Sequence, residues 1–217
     1  MKVIAINGSH RKGKNTATML KWVLREIEVN NIETELIELT DYKITLCRAC
    51  NFCLKKPDCS IENDDMINLA GKMLSADGIV IGSPVYFTNV TGLMKVFIDR
   101  TRWMHMCRNM LNGKIGAAVV NAGLRNGGQE IVLNILERFL MTLGLRVVDS
   151  RDPEDGIYNI GAVGTVFQSL YHDHDHDSIK WKKGIWEDDL VVRECRKLGQ
   201  NLAREIIFRK SLFLNIP

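Results

Sequence analysis

The 217-residue sequence lacks a long apolar segment and a strong excess of charge of either sign. No stretch approaches the ~20 apolar residues that a transmembrane helix needs, so we expect no membrane partner. The 29 basic and 26 acidic residues leave a net charge of +3, which is too small to indicate nucleic-acid binding. The N-terminus is typical of a strand and a turn, not of a signal peptide. We therefore expect a cytoplasmic protein.

Two common phosphate-binding signatures are also missing. The sequence contains neither a Walker A motif nor a Gly-x-Gly-x-x-Gly dinucleotide fingerprint. It has no internal repeat and no linker long enough to separate two domains. The sequence therefore predicts a single domain over residues 1–217.

Short apolar runs alternate with amphipathic ones through the first two-thirds of the chain. This alternation predicts strands at 2–7, 35–39, 78–82, 115–121 and 146–149. It predicts intervening helices at 16–29, 64–75, 92–110 and 128–143. Such a pattern indicates a parallel sheet with helices on both faces. The predicted fold is α/β: a flavodoxin-like, doubly wound, five-stranded parallel sheet with strand order 2-1-3-4-5.

Two segments depart from this alternation. Residues 41–63 form a cysteine-rich insertion, and residues 153–217 form a C-terminal extension with a predicted helix at 187–209. Within the extension, residues 153–183 show little periodicity and include the alternating His and Asp residues 172–177. Three histidines could chelate a transition metal, but we favour a solvated loop for this run.

A small and basic loop joins the first predicted strand to the first predicted helix. It reads Gly-Ser-His-Arg-Lys-Gly-Lys-Asn-Thr over residues 8–16. Such a loop lies at the carboxyl edge of the sheet, where its N–H groups and the positive end of the helix favour a phosphate. A solvated basic turn is the alternative. The predicted phosphate-binding residues are Ser9, Arg11, Lys12, Asn15 and Thr16.

Two further loops follow the third and fourth predicted strands at the same edge. The first contains a stiffening proline and two aromatic residues, which suit a flat ring system. The second contains three glycines that allow the backbone to approach a ligand closely. The alternative is that the aromatic residues belong to the core. The predicted ring-binding residues are Pro84, Val85, Tyr86, Phe87, Asn89, Asn121, Gly123, Gly127 and Gly128.

Four of the six cysteines fall within thirteen residues, at Cys47, Cys50, Cys53 and Cys59. In a reducing compartment such a cluster indicates metal binding or catalysis more than a disulfide framework. Its opening spacing is shared with ferredoxin clusters, whereas structural zinc sites more often pair two separated Cys-x-x-Cys units. These residues leave an iron–sulfur cluster, zinc, a redox-active dithiol and inert thiols open.

The Gly-Ser-x-Arg-x-x-x-Asn-Thr loop, the Ser-Pro-x-Tyr segment and the Lys-x-Phe-Ile-Asp-Arg helix resemble the NAD(P)H-dependent FMN reductase family. The spacing Cys-x2-Cys-x2-Cys-x5-Cys in this fold resembles the iron–sulfur flavoprotein branch of that family. The resemblance implies that FMN binds in the three loops and that the four cysteines hold a [4Fe–4S] cluster. It also implies an electron donor such as ferredoxin or NAD(P)H. No side chain is predicted to act as a general acid or base.

Three functions remain open from the sequence. The first is electron transfer between a [4Fe–4S] cluster and FMN. The second is a cluster-free NAD(P)H-dependent reductase of flavins or quinones, and the third is a non-enzymatic, zinc-stabilised flavodoxin-like scaffold.

We also expect a homo-oligomer, either a dimer or a tetramer, as the family resemblance implies. The predicted helix at 92–110 carries more large apolar side chains than burial of one helix face accounts for. The residues concerned are Met94, Phe97, Ile98, Trp103, Met104 and Met106.

Overall fold

The computed structural model describes residues 1–158, 160–166 and 184–214, with side chains to residue 212. The predicted His and Asp run at 172–177 lies outside the described residues. The described strands form one parallel sheet in the order β2-β1-β3-β4-β5, with β6 also paired to β4, which confirms the predicted order. They are β1 (Lys2–Asn7), β2 (Glu33–Glu38), β3 (Gly78–Pro84), β4 (Ile115–Ala122), β5 (Arg146–Val147) and β6 (Ala162–Thr165).

The sixth strand was not predicted from the sequence. β5 pairs with the start of β4 at Ile115 and Gly116, and β6 pairs with the end of β4 from Val119 to Ala122. The two short strands therefore follow one another along one edge of β4. A four-residue strand that contains a glycine gives almost no periodicity, so the surrounding stretch looked irregular.

Helices cover both faces of the sheet. They are α1 (Asn15–Glu28), α2 (Met66–Ser75), α3 (Gly92–Arg100), α4 (Trp103–Met106), α5 (Gln129–Thr142) and α6 (Asp189–Leu214). Successive strand residues point to opposite faces, so Ile4 and Ile6 pack with α2, α3 and α5 while Val3 and Ala5 pack with α1 and α6. No helix in the described ranges is long and apolar enough to span a membrane.

The predicted helix at 92–110 is two helices, α3 and α4, separated at Thr101 and Arg102. The side chain of Arg100, at the end of α3, is buried against the cysteine-rich insertion. Most of the apolar residues that suggested self-association are buried in the core of this chain, namely Met94, Phe97, Trp103 and Met104. Self-association therefore stays a prediction and needs another basis.

Candidate functional site

A cavity of ≈ 800 Å³ lies at the carboxyl edge of the sheet. The loops after β1, β3 and β4 line it, as the sequence predicted. The predicted residues on its wall are Ser9, Arg11, Asn15, Thr16, Pro84, Val85, Tyr86, Asn121 and Gly123. Its volume falls within the range of ~300–1,000 Å³ that is usual for cofactor and small-molecule sites.

The start of α1 suits an anion. Among the described residues, no side chain caps this helix at Lys14, and its first turn has no acidic residue. The first N–H groups of a helix have no partner within the helix, and they carry a partial positive charge. Gly13 N–H donates to the Glu38 carboxylate over 3.1 Å, which ties the loop to the end of β2. A phosphate therefore fits this end of the cavity.

The three loops are joined to one another by hydrogen bonds. Val85 N–H donates to the carbonyl oxygen of Asn121 over 2.8 Å, which links the loops after β3 and β4. The amide of Asn121 donates to the Thr16 hydroxyl oxygen over 2.7 Å, which links the third loop to α1. The rings of His10 and Tyr86 stack with their centroids 5.8 Å apart. These contacts hold the three loops in place before a ligand binds.

A tight turn follows Tyr86 at the rim of the cavity. Tyr86 and Asn89 exchange two backbone hydrogen bonds, of 2.8 and 3.0 Å. The central residues, Phe87 and Thr88, have φ values of 47° and 61°, in the left-handed region. Turns of this kind normally use Asn or Gly, and bulky or β-branched residues are strained there. The turn presents the ring of Phe87 fully to solvent.

Several predicted binding residues do not line the cavity: Lys12, Phe87, Asn89, Gly127 and Gly128. Lys12 pairs with Asp41, 2.5 Å away, and Asn89 accepts a hydrogen bond from the Val90 N–H. Gly128 has a φ of 102°, and a Cβ there would lie 2.9 Å from the methyl group of Thr88. Gly128 is therefore explained by backbone conformation and packing. A flavin contact for these residues stays a prediction.

The C-terminal extension supplies a wall that sequence reasoning missed. It contributes Val166, Gly184, Trp186 and Glu187 to the cavity lining. No motif marks this segment, so only the structure could place it there. The other unpredicted lining residues are sequence neighbours of predicted ones: Gly13, Lys14, Thr18 and Ala122.

The four clustered cysteines line one small cavity of ≈ 20 Å³, beside Arg100, Arg102 and Trp103. Cys47 and Cys50 are exposed, Cys53 and Cys59 are half-buried, and all four are free thiols. Within the described ranges, no group of three or more His, Cys, Asp or Glu side chains stands close enough to hold a metal ion. The thiols therefore surround one cavity without reaching ligand distances.

The environment of Cys50 favours its thiolate. Its sulfur lies 3.1 Å from the Ser60 hydroxyl, and hydrogen bonds from Ser60 and from the Phe52 N–H lower the pKa of the Cys50 thiol. The thiolate is the metal-binding form, so these hydrogen bonds favour the ionisation state that ligation needs. The donor set of four thiols suits an iron–sulfur cluster or zinc.

The two remaining cysteines are in different surroundings. Cys195 is fully buried in the core, and burial raises the pKa of its thiol well above the ordinary value. Cys107 is exposed, and its thiol donates to the carbonyl oxygen of Cys53 over 3.2 Å. Neither lines the cysteine cavity.

A buried ion pair joins Asp64, directly after the cysteine-rich insertion, to Arg100 at the end of α3. The Arg100 guanidinium and the Asp64 carboxylate are each 1% exposed and are hydrogen-bonded. Burial opposes ionisation of Asp64, but hydrogen bonds from Arg100, Thr45 N–H and Met66 N–H outweigh it and lower its pKa to about 2. Arg100 also donates to the carbonyl oxygens of Thr45 and Ile61, over 2.7 and 3.2 Å.

The NADPH-dependent FMN reductase family matches residues 1–152. One iron–sulfur flavoprotein of Methanocaldococcus jannaschii is 39% identical over 95% of this chain and 97% of its own length. A second from that organism is 33% identical over 91% and 92% of the two chains. An iron–sulfur flavoprotein of Archaeoglobus fulgidus is 47% identical over 60% of this chain, but the match spans only 63% of that relative.

Solved structures with low sequence identity share the fold. RosB, crystallised with 8-demethyl-8-formylriboflavin-5'-phosphate, is 15% identical, with a TM-score of 0.72 over 97% of this chain and 81% of RosB. An archaeal flavodoxin is 19% identical, with a TM-score of 0.55 over 95% and 99% of the two chains. These similarities confirm the flavodoxin-like fold.

Proposed function

The chain belongs to the NADPH-dependent FMN reductase family and to the iron–sulfur flavoproteins within it, and on this premise we propose that it transfers electrons between a [4Fe–4S] cluster and FMN. The family makes it a flavodoxin-like, FMN-binding oxidoreductase. The observation that carries the finer proposal is that Cys47, Cys50, Cys53 and Cys59 line one cavity.

The residues divide into two binding sets. The start of α1, with Ser9 and Thr16, holds the FMN phosphate, and Tyr86 with the loop after β4 lies against the ring. The clustered cysteines hold iron. When bound, FMN exchanges one or two electrons and the cluster exchanges single electrons. The chain positions FMN and the cluster and sets the electrostatic environment of both. No side chain has a role in proton transfer.

The electron donor in this proposal is ferredoxin or NAD(P)H. The free state of all six cysteines agrees with a reducing compartment, and we place the reaction in the cytoplasm. We further propose that residues 1–217 act as one domain, because β6 and α6 of the extension pack on the same sheet as the preceding elements.

The test compares wild type with Cys50→Ala and with the control Cys107→Ala after anaerobic reconstitution with iron and sulfide. Cys107 is also an exposed cysteine near the insertion, but it does not line the cysteine cavity. We expect wild type and Cys107→Ala to bind iron and sulfide in equal amounts, and Cys50→Ala to lose the cluster. FMN content should be equal in all three proteins, because the flavin loops lie elsewhere.

The other two functions predict different results. Near-zero iron in wild type, with FMN bound and reduced by NAD(P)H, would favour the cluster-free reductase. Tight zinc in wild type, which survives dialysis and is lost in Cys50→Ala, would favour the zinc-stabilised scaffold.

A further inference from the structure

Arg100 makes one contact that its ion pair does not explain. Its Nη2 group lies 3.7 Å from the sulfur of Cys59, within hydrogen-bonding distance for sulfur. The same side chain lines the cysteine cavity. The guanidinium is always protonated, so it donates hydrogen bonds and accepts none, while the Asp64 carboxylate balances its charge.

Arg100 also has an unused donor. Its Nε atom is buried and has no hydrogen-bond partner among the described residues. A buried donor without a hydrogen-bond partner is costly, so such a group requires an explanation. The other polar contacts of this guanidinium go to the Thr45 and Ile61 carbonyl oxygens and to Asp64. The Nη2 contact with Cys59 is therefore a contact of Arg100 that reaches the cysteine cavity.

We propose that Arg100 raises the reduction potential of the cluster that the cysteine cavity holds, through its N–H donor to the sulfur of Cys59. This inference rests on the proposed function. Reduction adds one electron to the cluster and forms no bond, so negative charge on the sulfur atoms increases. An N–H donor to sulfur favours that reduced form over the oxidised one.

Arg102 provides a matched control. It lines the same cavity, but it is more exposed and its Nη1 group donates to the Asn51 side chain over 3.1 Å. Arg102→Gln therefore removes one positive charge beside the cavity without removing a sulfur contact. Its effect on the potential should be small and should decrease as salt is added, because exposed charges are screened.

The variant that tests the proposal is the double change Arg100→Gln with Asp64→Asn. Removing one partner of a buried ion pair leaves an uncompensated charge and destabilises the fold, whereas replacing both partners avoids this. A second variant, Arg100→Lys, keeps the charge but removes the planar set of donors. Each protein is reconstituted with iron and sulfide, its metal content is measured, and the cluster is titrated with dithionite and followed by electron paramagnetic resonance.

We expect the double variant to show a more negative cluster potential than wild type, with Arg100→Lys between them and the FMN potential unchanged. Equal cluster potentials in loaded wild type and loaded double variant would overturn the inference, as would an equal shift in Arg102→Gln. If neither Arg100 variant takes up iron while Arg102→Gln does, Arg100 is purely structural and the inference is wrong. If wild type itself takes up no iron and sulfide, the proposed function fails instead.

Discussion

Arg11 lies on the cavity wall beside the start of α1, where we place the FMN phosphate. A hydrogen bond to a charged group is worth ~1.5–3 kcal/mol, so Arg11→Ala should weaken FMN binding ~10- to 100-fold. Riboflavin has no phosphate, so its affinity should change little. The measurement is a flavin fluorescence titration of the apoprotein with both flavins.

Lys12→Ala is the matched control for Arg11. Lys12 is the next basic residue, but it pairs with Asp41 and does not line the cavity. We expect a much smaller loss of FMN affinity from this change. An equal loss from both variants would support a phosphate contact for Lys12, and an equal loss of riboflavin affinity in Arg11→Ala would contradict the phosphate assignment.

Asp64 should make the fold sensitive to acid. Its pKa is about 2 in the folded chain, against ~3.9 in an unfolded chain. The carboxylate therefore contributes stability that is fully present above pH ~4 and is lost as the pH falls towards ~2, by about 2–3 kcal/mol. Urea unfolding of wild type across this range should show the loss.

Asp64→Asn should be less stable than wild type near neutral pH by ~3–5 kcal/mol, because Arg100 stays buried without its partner. Its free energy of unfolding should also fall less steeply between pH ~4 and ~2, where the carboxyl would have titrated. Asp99→Asn is the control, since Asp99 pairs with Lys95 on the surface. The same pH dependence in wild type and Asp64→Asn would contradict the assignment.

At the scale of elements, Thr91 connects α3 to the phosphate loop. Its hydroxyl oxygen accepts the Met94 N–H over 3.0 Å, which caps α3, and its hydroxyl donates to the Gly8 carbonyl oxygen over 2.6 Å. Thr91→Ala removes a helix cap and leaves a buried carbonyl without this donor, so we expect a loss of about 2 kcal/mol in the free energy of urea unfolding.

Thr91→Ser keeps the hydroxyl and loses only a buried methyl group, which is worth ~0.8 kcal/mol. We therefore expect Thr91→Ser to lie between wild type and Thr91→Ala in stability. If the two variants were equally stable, the hydroxyl would not stabilise the start of α3.

The elements that could be predicted from the sequence are those with a strong local pattern. The apolar runs of β1, β3 and β4 are buried, and the loops that follow them meet at one edge because parallel strands end together. The break after Arg100 could not be predicted, since no Gly or Pro marks it.

The candidate site also has a part that could be predicted from the sequence and a part that could not. Loop positions such as Ser9, Thr16 and Tyr86 were predictable from their place after a strand. The direction in which a loop side chain points could not be predicted. Phe87 is an example, because its turn exposes the ring to solvent. The position of Trp186 at the cavity wall depends on how the C-terminal extension packs against the rest of the chain. Contacts between residues far apart in the sequence determine that packing.

Across the whole molecule, α3 connects the two candidate sites. Its N-cap, Thr91, is hydrogen-bonded to the phosphate loop, and its last residue, Arg100, contacts Cys59. A nine-residue helix is ~13 Å long, so the two ends of this element lie about that far apart. A substitution at Thr91 therefore acts first on the phosphate loop, and one at Arg100 acts first on the cysteine cavity.

We expect self-association through Phe87, in place of the apolar residues that are buried in α3 and α4. This ring is fully exposed on a strained turn at the cavity rim, and burying a phenylalanine side chain is worth ~1.5–3 kcal/mol. We expect sedimentation to show a mass that is a multiple of the 24.6 kDa chain, and Phe87→Ser to weaken the assembly at least ~10-fold. Phe208→Ser, at an exposed position on α6, is the control and should leave the assembly unchanged. A single 24.6 kDa species at high protein concentration would contradict self-association, and equal effects of the two changes would contradict the role of this turn.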